Sequence, residues 1–412
     1  MKISIFAVGT RGDVQPCVAL AKQLSNNFDV EILTHKEFKE LVENNDIKFC
    51  ELIGNPANNW DEDHQDLNFK EKLENFWRVW LEIGLKSCQT SDTIIFTPLF
   101  SIGNHLAEKL KIPYFPIIFE PNISTGEFPS PYLTNNKIYS PTLNKFTHNF
   151  AYYSFWLNIR KIVNKLRREI LALPEAPLKG YFGKTSRNNI NYLCCFSKHL
   201  VAKPKDWNEN ISFTGYWFLE NNENIIFDDD LNEFFENKKP IFFDFGSFSH
   251  FRLKKITEII FDDLRKTGEK LLIDPGKIDV TKFDDFKNVK IINSKIPHKF
   301  ILPKVSMIIT QSGIGTVHAA LRAGVPIIPI PMIPAQYFWG NKAYNLGLGV
   351  KPIKIKNITP GKIYQSVNTI FENSLIKQNL NEMSKLINSE NSLNNACSFI
   401  EANLNKINST NI

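Results

Sequence analysis

Short apolar runs that alternate with segments of helical spacing constrain the fold of this chain more than any other feature. In the first half, the apolar runs lie at Ile3–Val8, Val30–Leu33, Thr93–Thr97 and Tyr114–Phe119. Between the first two, Val14–Leu24 spaces its apolar residues three or four positions apart, as on one face of a helix. Short runs that are apolar throughout are typical of parallel strands covered on both faces. The pattern therefore predicts a parallel sheet flanked by helices.

The same alternation begins again after an acidic, asparagine-rich segment, Leu219–Pro240, which predicts a linker that contains a short helix. The later apolar runs lie at Pro240–Phe245, Leu271–Ile273, Val289–Ile292, Ser306–Thr310 and Ile327–Ile330. We predict an α/β fold with two Rossmann-like, doubly wound parallel-sheet domains that face each other across a cleft. The predicted boundaries are 1–218 for the first domain, 219–238 for the linker and 239–385 for the second domain. Ligands of such sheets bind at the carboxyl ends of the strands.

Composition and charge exclude several classes of protein. The net charge of +6 is spread along the chain, so it does not predict a nucleic-acid partner. It is compatible with an anionic small molecule or with loose attraction to an anionic membrane surface. The sequence contains no run of 18 apolar residues, so no membrane-spanning helix is predicted. The first apolar run is interpreted as a strand, not as a signal peptide. The six cysteines lack the spacing of a metal site, which favours free thiols in a reducing cytoplasm.

The motif GTRGDVQP, residues 9–16, follows the first predicted strand directly. Gly9 and Gly12 permit a tight turn and the close approach of a ligand. Asp13 is predicted at the entrance of the helix, where two roles are open. It either caps the helix or acts as a general base that takes the proton from an acceptor hydroxyl.

A second motif, QSGIGT at residues 311–316, follows the predicted strand Ser306–Thr310. The backbone N–H groups of residues 313–316 are predicted to lie at the start of a helix, where they favour the binding of an anion such as a diphosphate. The hydroxyls of Ser312 and Thr316 are further donors. The alternative is a plain strand-to-helix turn with convenient glycines.

A proline-rich loop with the sequence QYFWG, residues 336–340, follows the last predicted strand. The amide of Gln336 both donates and accepts hydrogen bonds, and an aromatic face packs well on a sugar ring. The loop therefore predicts a place for sugar hydroxyls. An aromatic plug in the core is the alternative.

The segment Lys145–Ile170 has a basic amphipathic helical pattern. It predicts a helix packed on the first domain. An apolar acceptor wall and a membrane-surface contact are the functional alternatives.

Motifs along nearly the whole chain resemble those of family 1 glycosyltransferases of the GT-B fold, above all the branch that glucosylates sterols and antibiotic aglycones. Besides GTRGDVQP, GIGTVHAALRAGVP and QYFWG, the similar segments are His105–Phe115, Glu127–Pro131, Phe196–Phe218, Phe243–Phe248 and Lys295–Thr310. The resemblance implies transfer of a hexose, with inversion, from a UDP- or dTDP-sugar to a hydroxyl of a lipophilic acceptor. It implies neither a metal nor a cofactor, and it leaves the oligomeric state open.

The resemblance also assigns residues. Asp13 is the implied catalytic base. The implied donor-binding residues are Gly12, Ser247, Pro297, His298, Gln311, Ser312, Gly313, Gly315, Thr316 and Gln336. The aromatic first domain suggests an acceptor site with Trp77, Trp80, Phe128 and Trp156, although such aromatics also build cores. A C-terminal helix at about Leu380–Leu404 is implied to return to the first domain, and residues 386–412 are assigned to this returning segment.

Two departures from the family pattern concern the donor. The usual HHGGAGT is TQSGIGT here, so Gln311 stands where a histidine is expected to contact the diphosphate. The usual Asp-Gln pair for sugar hydroxyls is Ala335-Gln336. These changes predict an altered sugar or nucleotide, or weakened activity, and motivate a second hypothesis of a non-catalytic binding or partner protein. A Rossmann oxidoreductase is not favoured, because the chain lacks GxGxxG.

Overall fold

The computed structural model describes two compact units. The described residues are 1–55, 69–133, 139–180, 190–220, 227–245, 251–276, 288–292 and 296–410. The N-terminal unit contains residues 1–133, 137–220 and 391–412, and the C-terminal unit contains 134–136 and 221–390.

The described part of the N-terminal unit has a sheet of seven parallel strands. The strands are β1 (Lys2–Phe6), β2 (Asp29–Thr34), β3 (Lys48–Glu51), β4 (Thr93–Phe96), β5 (Tyr114–Ile118), β6 (Tyr192–Cys194) and β7 (Ile211–Phe213). Their order is β3-β2-β1-β4-β5-β6-β7. The order reverses between β1 and β4, and this switch point is where doubly wound sheets bind ligands.

Helices cover this sheet. They are α1 (Arg11–Leu24), α2 (Lys39–Glu43), α3 (Phe69–Ser87), α4 (Gly103–Leu110) and α5 (Pro141–Glu169). The long helix α5 begins with Pro141 at its first position, and the Ser140 hydroxyl accepts from the Leu143 N–H at 3.4 Å. The core between sheet and helices is rich in aromatic residues, with Phe6 stacked on Phe100 at 4.2 Å between ring centroids.

The C-terminal unit has a second parallel sheet. Its described strands are β8 (Ile241–Asp244), β9 (Leu271–Asp274), β10 (Val289–Ile291), β11 (Met307–Thr310) and β12 (Ile327–Pro329), in the order β10-β9-β8-β11-β12. Its helices are α6 (Asp229–Phe235), α7 (Phe251–Lys266), α8 (His298–Ile301), α9 (Ile314–Arg322), α10 (Pro334–Asn345), α11 (Lys362–Glu372) and α12 (Ser374–Asn388). The prediction of two parallel α/β sheets is confirmed.

The last helix, α13 (Ser392–Thr410), belongs to the N-terminal unit. Gln23 at the end of α1 donates to Asn394 at 3.0 Å, and Phe399 contacts Phe115 edge to face. The sequence predicted one helix over Leu380–Leu404, and this prediction is wrong. Helix α12 ends at Asn388 and α13 begins at Ser392, because the polar residues between them form a break and not a further turn.

Candidate functional site

The carboxyl end of β1 leads within four residues into helix α1. The helix begins at Arg11, not at Val14 as the apolar spacing predicts, because Thr10 takes the N-cap position. Asp13 is therefore the third residue of the first turn and not the cap itself. Its Oδ2 accepts from the Thr10 N–H at 2.8 Å and from the Thr10 hydroxyl at 2.9 Å. Asp13 thus reaches back to satisfy the start of its own helix.

Partial burial makes the Asp13 carboxyl a weaker acid than an exposed aspartate. Desolvation raises its pKa from 3.8 to about 6, although the two hydrogen bonds from Thr10 oppose the shift. A carboxylate whose pKa lies close to neutral pH is well matched to general-base catalysis. Asp13 thus helps to cap α1 from its third position, and its role as a general base stays a prediction.

Gly9 is required by the position of Asp13. Its φ of +136° lies in a region that side chains rarely adopt, and a Cβ at this position would overlap Asp13 Oδ2. Gly12 meets no such obstruction, since the nearest neighbour of an added Cβ would be Thr10 Oγ1 at 3.6 Å. Gly12 lies in α1 of the N-terminal unit, and its role in donor binding stays a prediction.

A buried layer surrounds Asp13 on the side of the core. Cys17 Sγ donates to the Asp13 backbone carbonyl at 3.3 Å. Burial raises the pKa of the Tyr216 hydroxyl, and the nearby Cys195 and Asp13 add to the rise. Tyr216, which sequence reasoning did not single out, therefore belongs to the low-dielectric surroundings that keep Asp13 weakly acidic.

In the C-terminal unit, the turn from β11 into α9 has a strained residue. Ser312 has a φ of +63°, a left-handed conformation that costs a non-glycine residue on the order of 1–2 kcal/mol. Its side chain is fully buried, and its hydroxyl has no hydrogen-bond partner among the described residues. Gly313 is the N-cap of α9, so the N–H groups at residues 314–316 begin the helix. A phosphate oxygen is the kind of acceptor that such a hydroxyl and such a helix start would bind.

Gln311 and Gln336, both predicted to bind the donor, lie side by side. Gln336 Nε2 donates to Gln311 Oε1 at 3.0 Å, and Gln311 Nε2 donates to the Phe245 carbonyl at 2.6 Å. Gln336 Oε1 accepts from the backbone N–H groups of Met332 and Ile333 at 2.8 and 3.3 Å. Because backbone groups define both ends, the chain of amides has one direction. The two amides tie the turn after β11 to the start of α10.

His298 is the first residue of α8, and Pro297 is the N-cap of that helix. His298 Nε2 lies 2.9 Å from Asp244 Oδ2, and the Asp244 side chain is only 4% exposed. Sequence reasoning missed Asp244, although a carboxylate at the carboxyl end of a buried strand is a recognisable signal of a ligand site. Ser247, a predicted donor residue in the same motif, lies outside the described residues.

The end of β8 thus joins two groups of predicted donor residues. Asp244 contacts His298, and the carbonyl of the next residue, Phe245, accepts from Gln311. His298 and Gln311 therefore contact consecutive residues at the end of β8, and Gln336 joins them through its hydrogen bond to Gln311. Together with Ser312 and the start of α9, they form a polar edge at the carboxyl ends of the second sheet.

The aromatic residues predicted for the acceptor site have different environments. Trp77 and Trp80 lie in the core of the N-terminal unit with about 1% exposure or less, so burial favours the core alternative for both. Trp156 is also buried and donates to the Leu178 carbonyl at 2.9 Å. Phe128 packs on the His148 ring at 6.0 Å between centroids.

Helix α5 carries an exposed apolar stripe. Phe146, Phe150, Tyr153 and Leu157 are spaced three or four residues apart and are 36–62% exposed. On the same face, the last two turns carry the exposed cations Lys161, Lys165 and Arg168. The helix thus packs against the N-terminal unit with one face and presents an apolar and basic face to solvent.

None of the helices described is long and apolar enough to cross a membrane. No group of three or more His, Cys, Asp or Glu side chains in the described ranges is arranged to hold a metal ion.

Known proteins resemble this chain over nearly its full length. The model of the glycosyltransferase family 28 N-terminal domain matches residues 3–129, and the model of UDP-glucoronosyl and UDP-glucosyl transferases matches residues 203–401. The sterol 3-beta-glucosyltransferases of Komagataella phaffii and Arabidopsis thaliana are 31% and 30% identical to the chain over 96% and 95% of its length. The solved structure of the glycotransferase of kitacinnamycin covers 98% of this chain and is itself covered to 99%, with a TM-score of 0.72 at 14% identity.

The chain therefore has the fold of glycosyltransferases of the GT-B class. Its sequence is similar to those of sterol 3-beta-glucosyltransferases. The chain spans 34% of the length of the Komagataella relative and 63% of the Arabidopsis relative.

Proposed function

We propose that the protein is an inverting glycosyltransferase that moves a hexose from a UDP- or dTDP-sugar to a hydroxyl of a lipophilic, sterol-like acceptor. The observation that carries the proposal is Asp13, a partly buried carboxylate with a pKa of about 6 at the switch point of the first sheet. The sterol class of acceptor rests on the similarity to sterol 3-beta-glucosyltransferases.

In this mechanism Asp13 takes the proton of the acceptor hydroxyl while that oxygen attacks the anomeric carbon. The bond between the anomeric carbon and the phosphate oxygen breaks, and the nucleoside diphosphate leaves with the bonding electrons. One displacement of this kind inverts the anomeric centre. Asp13 is left neutral, which its low-dielectric surroundings favour.

The leaving diphosphate gains negative charge, and the C-terminal unit offers donors for it. The Ser312 hydroxyl and the N–H groups at the start of α9 are oriented before the reaction, so they stabilise that charge without reorganisation. Oriented backbone and hydroxyl donors make a metal ion unnecessary for this step, and we propose a metal-free reaction that uses no cofactor.

A thermal-shift panel of UDP, dTDP and their hexose conjugates tests the proposal. A ligand that binds only the folded protein raises its melting temperature in proportion to the logarithm of its concentration above Kd. We expect one nucleotide series to stabilise the protein and Ser312→Ala to reduce the shift. The absence of any shift across the panel would contradict the proposal.

A second candidate, a binding module with little turnover, is favoured by one observation. Gln311 and Gln336, two residues implied to contact the donor, hydrogen-bond to each other and to the backbone. If they kept these bonds with donor present, the sugar would lose two polar anchors. Hydrolysis of a bound sugar nucleotide that Asp13→Asn abolishes would exclude this candidate, whereas nucleotide binding without hydrolysis or transfer would support it.

We also propose that the protein acts in the cytoplasm and contacts a membrane surface through the stripe on α5. All six cysteines are free, which suits a reducing compartment. A sterol acceptor resides in a bilayer, and a helix with exposed aromatics and cations suits the bilayer interface.

Co-sedimentation with phosphatidylcholine vesicles, with and without phosphatidylserine, measures this contact. The double variant Phe146→Ser, Phe150→Ser should lower the bound fraction about tenfold, because two aromatic side chains leave the interface. Phe371→Ser, which removes a similarly exposed phenylalanine from α11, is the matched control and should bind like the wild type. Equal binding by the double variant would contradict the contact.

A further inference from the structure

The carboxylate of Asp244 is nearly buried at the last residue of β8. A buried carboxylate is costly unless it is paired and hydrogen-bonded. His298 Nε2 lies 2.9 Å from Asp244 Oδ2, and the imidazole itself is 31% exposed. The pair therefore has one buried member and one member that reaches the surface.

Helix α8, which His298 begins, has only four residues. A single turn has little stability of its own, so tertiary contacts must determine its position. Ile301 and the following Leu302 are buried and hold its far end. At its start, the His298 ring contacts Asp244 and packs edge to face on Phe242, at 6.1 Å between centroids. The contact with Asp244 therefore helps to determine where Pro297 and His298 lie.

The same strand end also orients the turn that is proposed to bind the diphosphate. Phe245, directly after Asp244, accepts from Gln311, and Gln311 immediately precedes the strained Ser312. The end of β8 thus contacts two segments, the one that begins with His298 and the turn at residues 311–316. A ligand that binds both segments therefore meets them in a fixed relative position.

We propose that Asp244 is a positioning residue that acts through His298 to set the affinity for a nucleoside diphosphate and the preference between UDP and dTDP. The inference rests on the proposed function, because it needs a nucleotide at this edge of the C-terminal unit. Asp244 holds the imidazole and, with it, the start of α8.

A double-mutant cycle with Asp244→Asn and His298→Gln tests the inference, with UDP and dTDP titrated calorimetrically into each variant. Asp244→Asn keeps the volume but replaces a charge-assisted bond with a neutral one. We expect it to weaken binding of the preferred nucleotide about tenfold and to reduce the ratio of the two dissociation constants. In the His298→Gln background, Asp244→Asn should have no further effect, because the two residues act as one unit.

Asp263→Asn is the matched control. Asp263 is also a buried carboxylate of the C-terminal unit, it is paired with Lys266, and it accepts from the N–H groups of Gly361 and Ile363 at the start of α11. This variant should melt at a lower temperature and bind UDP and dTDP like the wild type. A general loss of stability is thereby separated from a loss of positioning.

The outcomes are distinct. If the wild type binds neither UDP nor dTDP, the proposed function fails. If the wild type binds one of them and Asp244→Asn binds it equally well, or loses the same factor with and without His298, the inference is overturned. If Asp244→Asn does not fold, His298→Gln alone tests the inference. Unchanged dissociation constants for UDP and dTDP in that variant overturn it.

Discussion

The carboxyl edges of the two sheets handle their polar side chains in opposite ways. At the first edge, Asp13 is held where burial makes its charge costly and raises its pKa to about 6. At the second edge, Gln311 and Gln336 satisfy each other and the backbone, and neither carries a charge. The N-terminal unit therefore holds a carboxyl with a raised pKa, whereas the C-terminal unit holds its polar groups in a fixed frame.

This difference predicts how substitutions at each edge affect the protein. A group with a perturbed pKa is often one that serves function at the expense of stability. A satisfied buried amide network instead contributes to stability and loses it when one member is removed. Substitutions at the first edge should therefore affect turnover most, and substitutions at the second edge should affect folding and affinity most.

The largest effect is expected from Asp13→Asn. An amide of the same shape cannot take a proton, so kcat/KM for transfer should fall about a thousandfold, within the range found for general bases. Wild-type kcat/KM should rise as the pH passes through about 6 and level off above it, because only the ionised carboxylate accepts the proton. Steady-state rates from pH 5 to 8 measure both effects.

Asp206→Asn is the matched control for that experiment. Asp206 lies in the same unit and also accepts from a threonine hydroxyl and a backbone N–H, those of Thr125 and Gly126. Its pKa is lowered by these hydrogen bonds and by Lys145, which outweigh its desolvation. Activity within about twofold of the wild type is expected. A comparable loss in both variants would show that Asp13 matters only as a cap.

Next in size is the effect of Gln336→Ala on stability. The change removes the hydrogen bonds that Gln336 makes with Gln311 Oε1 and the Met332 N–H, and the loss of a buried hydrogen bond of this kind costs about 1–3 kcal/mol. Urea unfolding should show a lower free energy of unfolding by about 2 kcal/mol. Gln365→Ala, which removes an exposed glutamine of α11, should change it by less than about 0.5 kcal/mol. Equal stability of both variants would contradict the view of the second edge as a fixed frame.

Two substitutions at Ser312 separate strain from binding. Ser312→Gly relieves the left-handed conformation and should raise stability by up to about 1 kcal/mol, whereas Ser312→Ala keeps the strain. Both remove the hydroxyl that is proposed to bind the diphosphate, so both should weaken nucleotide binding about fivefold. Calorimetric Kd values and melting temperatures measured together decide the matter. Unchanged affinity in both variants would remove Ser312 from the donor site.

The smallest expected effect is on the stability of the N-terminal unit as a function of pH. The folded pKa of Asp13 is raised above 3.8, so folding favours the protonated form. The contribution of Asp13 is most favourable below about pH 4 and is lost as the pH rises through about 6. Asp13→Asn should therefore melt a few degrees higher than the wild type at pH 8 but not at pH 4. A variant that melts lower at pH 8 would contradict the desolvation of Asp13.

Local pattern was sufficient to predict the five described strands of the second sheet, four of the seven described strands of the first, and both turns of the site, whereas β3, β6 and β7 were not predicted. Apolar runs such as Ile327–Ile330 need no distant information to be recognised as strands, and a turn such as 311–316 is defined by its own glycines. The contacts that give the site its chemistry join distant positions: Gln311 with Gln336, and Asp244 with His298. The left-handed Ser312 also escaped prediction, because this conformation is ordinarily signalled by glycine.

The anomeric configuration of the product tests the proposed mechanism most directly. The protein is incubated with α-linked UDP-glucose or dTDP-glucose and a sterol, and the anomeric proton coupling of the glycoside is measured by NMR. We expect the wild type to form a β-linked sterol glucoside and Asp13→Asn to form none. An α-linked product, or equal amounts of product from both proteins, would contradict the displacement that Asp13 is proposed to assist.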